Sequence, residues 1–208
     1  MDDGVGDAIS AFRSGRPVMI YDSDYREMET DLLWHATAAT PEVIRRLRND
    51  CGGLLFLAIG DEIGEMFGLP WLQDIHSHKS LVEENPVLGH LVTNDLQYDS
   101  RSAFTLSLNH RETYTGITDR DRSLTTKRFG ELSGELIEKD VDGFRAKERL
   151  GKEFRTPGHI PVCRESPGGL KTRQGHTELA VSIARLAGLT ACTIGAEMLE
   201  PEGDGALS

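Results

Sequence analysis

Residues 54–59, LLFLAI, form an unbroken apolar run between Gly53 and Gly60. A strand without an alternating polar face must be covered on both sides, so it predicts a sheet with helices packed above and below it. The rest of the chain supplies those partners. Pro17–Tyr21, Leu32–Ala36, Ile160–Cys163 and Leu189–Ile194 read as short strands, and Phe104, Leu106 and Leu108 alternate with polar residues in another. Val5, Ala8, Ile9 and Phe12 recur at helical spacing. Thr40-Pro41 opens a helix with a cap and a proline at its first position, Asp61 is read as the cap of a short helix, and further helices run from Leu124 to Ile137 and from Thr177 to Leu186. Thr156-Pro157-Gly158-His159 and Pro167-Gly168-Gly169 read as turns. Leu72–Tyr98 shows no clear period, and Lys139–Lys152 reads as polar surface. The interleaving predicts an α/β (α+β) class: a three-layer sandwich with a mixed, partly parallel sheet, in a single domain over residues 1–208.

Bulk properties narrow the function. A net charge of -11 argues against a sequence-independent grip on nucleic acid and against docking on an anionic membrane. Three scattered cysteines without a CxxC pair fit a reducing compartment and exclude a zinc ribbon. Asp2 and Asp3 stand where a signal peptide carries basic residues, and no apolar run approaches the roughly 20 residues that span a bilayer. These features predict a cytoplasmic protein. Any anionic substrate must then be held by a few placed cations, a metal and backbone N–H groups.

Five places carry chemistry. Asp22–Asp31 (DSDYREMETD) packs five carboxylates and Arg26 into ten residues directly after a strand. Such a run is either a solvated surface or a hard-cation site. It is no calcium loop, because Glu27 sits where the sharp-turn glycine is needed. Mg²⁺ takes one or two carboxylates and completes its octahedron with water and substrate oxygens. Arg173-Gln174-Gly175-His176-Thr177-Glu178 lies at the turn into a helix, where free N–H groups, a forked cation and a hydroxyl suit a phosphate; the alternative is simple capping by Thr177. His159 is aimed by the TPGH turn and is either structural or catalytic. Residues 114–122 (YTGITDRDR), including Thr115, could line a phosphate or diol, or merely cap a helix. Glu197 follows the last strand, at the end where α/β sites form.

In order and type, the stretches DSDYREMETD, GGLL, FTLSLNHRETYTGITDRDR, RTPGH and TRQGHTE, with the Glu197 region, resemble the 3,4-dihydroxy-2-butanone 4-phosphate synthase family, and its archaeal members in particular. The resemblance runs over nearly the whole chain. It implies a lyase of riboflavin biosynthesis that converts D-ribulose 5-phosphate to L-3,4-dihydroxybutan-2-one 4-phosphate and formate. It implies a homodimer with its sites at the subunit interface, and a divalent cation, Mg²⁺ (or Mn²⁺), on Glu27 and His176. It further implies substrate contacts from Arg26, Asp31, Arg173, Gly175, Thr177 and Glu197, and a part for His159 in activity. Glu27, Thr115 and His176 are counted with the substrate-binding set, and Asp31, Glu29, His159 and Glu197 with the catalytic one. The residue types agree with that chemistry: several proton transfers need several acid–base groups, and the acidic loop supplies them. Two departures stand out. Phe56 occupies the place of a cysteine common in the family, and the chain stops at Ser208 where relatives continue into another helix and strand. The rival readings are a metal-dependent sugar-phosphate isomerase and a non-catalytic phospho-ligand or nucleotide-binding module.

Overall fold

In the computed structural model, which describes residues 4–208, the chain builds one mixed sheet between two sets of helices. Asp2 and Asp3 lie outside the described residues. Helix α1 (Gly4–Arg13) leads into β1 (Val18–Tyr21), which pairs antiparallel with β2 (Thr30–His35). Helix α2 (Pro41–Asp50) begins as expected, with the Thr40 hydroxyl accepting from Val43 N. β3 (Gly52–Ile59) follows, then α3 (Asp61–Phe67), α4 (Leu72–His76), α5 (Lys79–Glu84) and α6 (Val87–His90). The second half comprises β4 (Phe104–His110), α7 (Asp119–Glu138), α8 (Gly143–Glu153), β5 (Phe154–Arg164), α9 (His176–Leu186) and β6 (Cys192–Met198).

The strand order is β1-β2-β6-β3-β5-β4, and only β3 and β5 run parallel. In β3 every residue from Leu55 to Ile59 is buried, as the apolar run requires. Helices α1 and α9 pack together on one side, α9 touching β1, β2, β3 and β6. Helices α2 and α7 pack together as the other set, with α8 joining them against β5. Phe129 of α7 anchors that side: its ring sits 5.4 Å from Phe67 and 5.7 Å from Phe154. No helix among the described residues is long and apolar enough to cross a membrane.

Several expected boundaries move. Asp31 lies inside β2 rather than in the loop, because its backbone pairs with Ile20 on one side and Glu197 on the other. Glu197 is likewise within β6, whose ladder runs to Met198 and begins only at Cys192. Gly60, not Asp61, is the N-cap of α3. Gly175 caps α9, so Thr177 lies inside that helix, which starts at His176. The TPGH segment is no connecting turn but a bulge within β5: Ile160 pairs with Leu108 while Arg155 pairs with the next residue, Asn109. Lys139–Lys152 contains α8, whose polar sequence hides a helix capped by the Asp142 carboxylate.

Candidate functional site

Asp22 organises the acidic loop. Its carboxylate accepts from the backbone N–H of Glu27 (2.9 Å) and Glu29 (3.2 Å), and from Arg26. Burial opposes its charge, but these backbone donors hold its pKa below the usual value. So folded, the loop turns Glu27 toward α9, where the Glu27 carboxylate lies 3.2 Å from His176 Nδ1 although 149 positions separate them. The other ring nitrogen donates to the Glu29 carbonyl at 3.0 Å. Both nitrogens thus face acceptors. Burial disfavours the His176 charge, but Glu27, Asp31 and the Glu29 carbonyl outweigh it and lift the pKa to about 9. The His176 hydrogen bond, together with Arg26, lowers that of Glu27.

Asp31 is fully buried, and neither carboxylate oxygen has a hydrogen-bond partner among the described residues. His176 Nε2 stands 3.7 Å away. Burial pushes the Asp31 pKa to about 7, His176 pulls it down, and the charges of Glu197, Glu27 and Glu29 raise it again. Glu197 faces Asp31 across the β2–β6 ladder, and burial raises its pKa too. On its other side Glu197 lies against Gly53 of β3, where a Cβ would meet the Glu197 backbone oxygen at 2.5 Å and its carboxylate at 2.6 Å. Glu29 also has a raised pKa, from partial burial and the charge of Glu27.

The cationic side comes from Arg173 and Arg26. The guanidinium of Arg173 binds the buried carboxylate of Glu178 at 2.6 Å and that of Asp99 at 2.8 Å. Asp99 also accepts from Arg26 at 2.8 Å, so one carboxylate joins the two arginines. Glu178 in turn accepts from Ser166 N, which ties the start of α9 to the turn after β5.

Part of this cluster lines a cleft of about 240 Å³. Glu27, Asp31, Arg173, His176, Thr177 and Glu197, all singled out in the sequence, lie on its wall. Gly175 sits beside it as the cap under the Arg173 guanidinium, and Arg26 approaches it through Asp99. Glu29 contributes its carbonyl and its charge but not its side chain to the wall. Thr115 and His159 are not part of it; they lie together elsewhere, about Asn109. Phe56 does line the cleft, as does Cys163 of the neighbouring β5. Burial raises the Cys163 thiol to about 12, which keeps it neutral. Asp99 and Cys163 were missed by sequence reasoning, and Asp22, though part of the acidic run, was not singled out as a ligand. Asp22 was hidden among five similar carboxylates, and Asp99 lies in a stretch without periodicity.

The donor set fits a divalent cation. Asp22, Glu27 and His176 offer ligand atoms all within 4.8 Å of one another, among the described residues. The 3.2 Å between Glu27 and His176 is close to the ~3.0 Å separating neighbouring ligands of an octahedral ion bound at about 2.1 Å. The buried Asp31 carboxylate beside them has no hydrogen-bond partner among the described residues, and its nearest positive group is His176 at 3.7 Å.

The model of the family described as 3,4-dihydroxy-2-butanone 4-phosphate synthase matches residues 6–207. The 3,4-dihydroxy-2-butanone 4-phosphate synthase of Methanothermobacter thermautotrophicus is 40% identical over 204 residues, covering 98% of this chain and 84% of that protein. The synthase of Methanosarcina acetivorans is 40% identical over 209 residues, covering 100% of this chain and 81% of that protein. A solved 3,4-dihydroxy-2-butanone 4-phosphate synthase in complex with two magnesium ions superimposes with a TM-score of 0.69 at 26% identity, over 97% of this chain and 80% of that one. Sequence and fold agree, and the chain belongs to the 3,4-dihydroxy-2-butanone 4-phosphate synthase family.

Proposed function

We propose that this chain converts D-ribulose 5-phosphate to L-3,4-dihydroxybutan-2-one 4-phosphate and formate, supplying the four-carbon unit of riboflavin. The observation that carries the reading is the buried, unpartnered Asp31 carboxylate facing Glu197 and His176 in one cleft with Arg173. Glu27 and His176, with Asp22 beside them, would hold the cation, Mg²⁺ or Mn²⁺, which would supply Lewis acidity to the substrate. Asp31, raised to about 7, is matched to accept the C3 proton near neutrality. Glu197, on the facing strand, is placed to serve the later proton transfers; Glu29 tunes both through its charge. Arg173 and Thr177 hold the 5-phosphate at the start of α9, with Gly175 allowing the close approach and Arg26 clamping from the loop.

Thr115 and His159 belong to the reaction through a second copy of the chain, in a two-fold homodimer. Two observations support this. Neither residue lines the cleft of its own chain. Apolar side chains also stand out to solvent on the two segments that would meet: Tyr25 and Met28 on the acidic loop, Tyr114 (94% exposed) and Ile117 beside Thr115. A closed interface also keeps water from the reactive enediolate.

Incubation with ribulose 5-phosphate and Mg²⁺ tests the reading. Formate release supports it, a pentose product identifies an isomerase, and binding without turnover identifies a non-catalytic module.

A further inference from the structure

Asn109, at 4% exposure, lies beneath the loop that carries Thr115 and beside the β5 bulge that carries His159. Its side-chain oxygen accepts from the backbone N–H of His159 at 2.8 Å. A backbone N–H can only donate, so the amide orientation is settled. The Nδ2 group of Asn109 then faces His159 Nδ1 at 3.1 Å. An amide NH₂ only donates, so Nδ1 must accept. The proton of the neutral ring is therefore on Nε2, which has no hydrogen-bond partner among the described residues, on a side chain that is exposed.

The clamp is closed from above. Gly116 has φ +90°, and a Cβ there would collide with the Asn109 amide. The loop is held down by Asp121, whose carboxylate accepts from Thr115 N (3.0 Å) and Gly116 N (2.8 Å). Asn109 thus lies between two segments, and a flipped amide, which would reverse the tautomer, would set its NH₂ against the His159 N–H, donor against donor.

We propose that Asn109 is a positioning residue that holds His159 as the Nε2–H tautomer, so that His159 works as a neutral hydrogen-bond donor to a substrate oxygen and not as a proton acceptor. This rests on the reading that places His159 in the reaction. No bond to hydrogen is broken at the ring; the Nε2–H group stabilises charge gathering on the substrate oxygen.

Asn109→Asp tests it on the Mg²⁺-loaded enzyme. The variant keeps the size and the acceptor for His159 N–H, but presents an oxygen to Nδ1. In ¹⁵N spectra of histidine-labelled protein, His159 should show a protonated Nε2 and a bare Nδ1 in the wild type, and a protonated Nδ1 in the variant. kcat should fall by about a hundredfold, with KM within about twofold. His159→Ala should lose as much, and the double variant no more than either. A wild-type spectrum with the proton on Nδ1 overturns the proposal, even if the variant does not fold. So does wild-type kcat in Asn109→Asp when His159→Ala is impaired. Unchanged kcat in His159→Ala sinks the placement of His159 itself, and this proposal with it.

Discussion

At the scale of residues, the cleft is a balance of charges that no member carries alone. Glu27 and His176 hold each other in their charged forms, and Asp31 is left without a partner because both neighbours are already engaged. A cation held by Glu27 and His176 would take the place of the His176 proton and keep a positive charge beside Asp31. Glu27→Gln should therefore abolish turnover and weaken metal binding while leaving the unfolding temperature near its original value, since Glu27 is partly exposed. Normal activity at limiting Mg²⁺ in that variant removes Glu27 from the metal site. Arg173 makes the complementary case. A charge-assisted hydrogen bond contributes roughly 1.5–3 kcal/mol, so Arg173→Ala should raise KM for the phosphorylated sugar about ten- to a hundredfold. The same change leaves the buried Glu178 carboxylate without its cation. Arg173→Lys separates the two effects: it keeps a charge near Glu178 but loses the fork, so stability should recover more fully than KM. An unchanged KM in both variants rejects the phosphate cradle.

At the scale of elements, His35 closes β2 against the start of β6. Its Nε2 faces the Thr190 carbonyl at 2.9 Å and its Nδ1 faces the Thr37 hydroxyl at 2.7 Å. A carbonyl only accepts, so the neutral ring carries its proton on Nε2 and takes the hydroxyl proton at Nδ1. Burial lowers its pKa below the ordinary 6.5. The unfolded chain then binds this proton more readily than the folded one, so acidification favours unfolding. The contribution is fully present above about pH 6.5 and is lost as pH falls below it. Urea midpoints measured from pH 7.5 down to pH 5 should fall further in the wild type than in His35→Gln. Parallel curves for the two proteins count against this link.

For the whole molecule, the question is what completes the cleft. The segment around Thr115 and His159 is pinned by Asp121 and Asn109, yet neither residue lines the cleft of its own chain among the described residues. In the proposed homodimer, two-fold symmetry would bring one such segment to each cleft. Sedimentation at micromolar concentration should give about twice the 23.0 kDa chain mass. A Tyr114→Glu, Ile117→Glu double variant should sediment as the monomer and lose turnover. An active monomer refutes the shared site while leaving the chemistry of Asp31 and His176 standing.

Much of this was legible in the residues themselves. The LLFLAI run demanded a sheet covered on both faces, Thr40-Pro41 announced α2, and the DSDYREMETD and TRQGHTE motifs carried the family chemistry, because local patterns and motif order survive in the chain whatever it packs against. Tertiary structure decided the rest. Asp31 and Glu197 look like loop and strand-end carboxylates until the β2–β6 ladder sets them face to face and buries them. The stretch before β4 shows no period, yet it delivers Asp99 to both arginines, since short helices hold it in place through contacts distant in sequence. The proton on His159 is settled by an asparagine 50 positions away. Charge type and spacing belong to the chain, but burial, pairing and tautomer depend on which side chains meet in space, and only folding decides that.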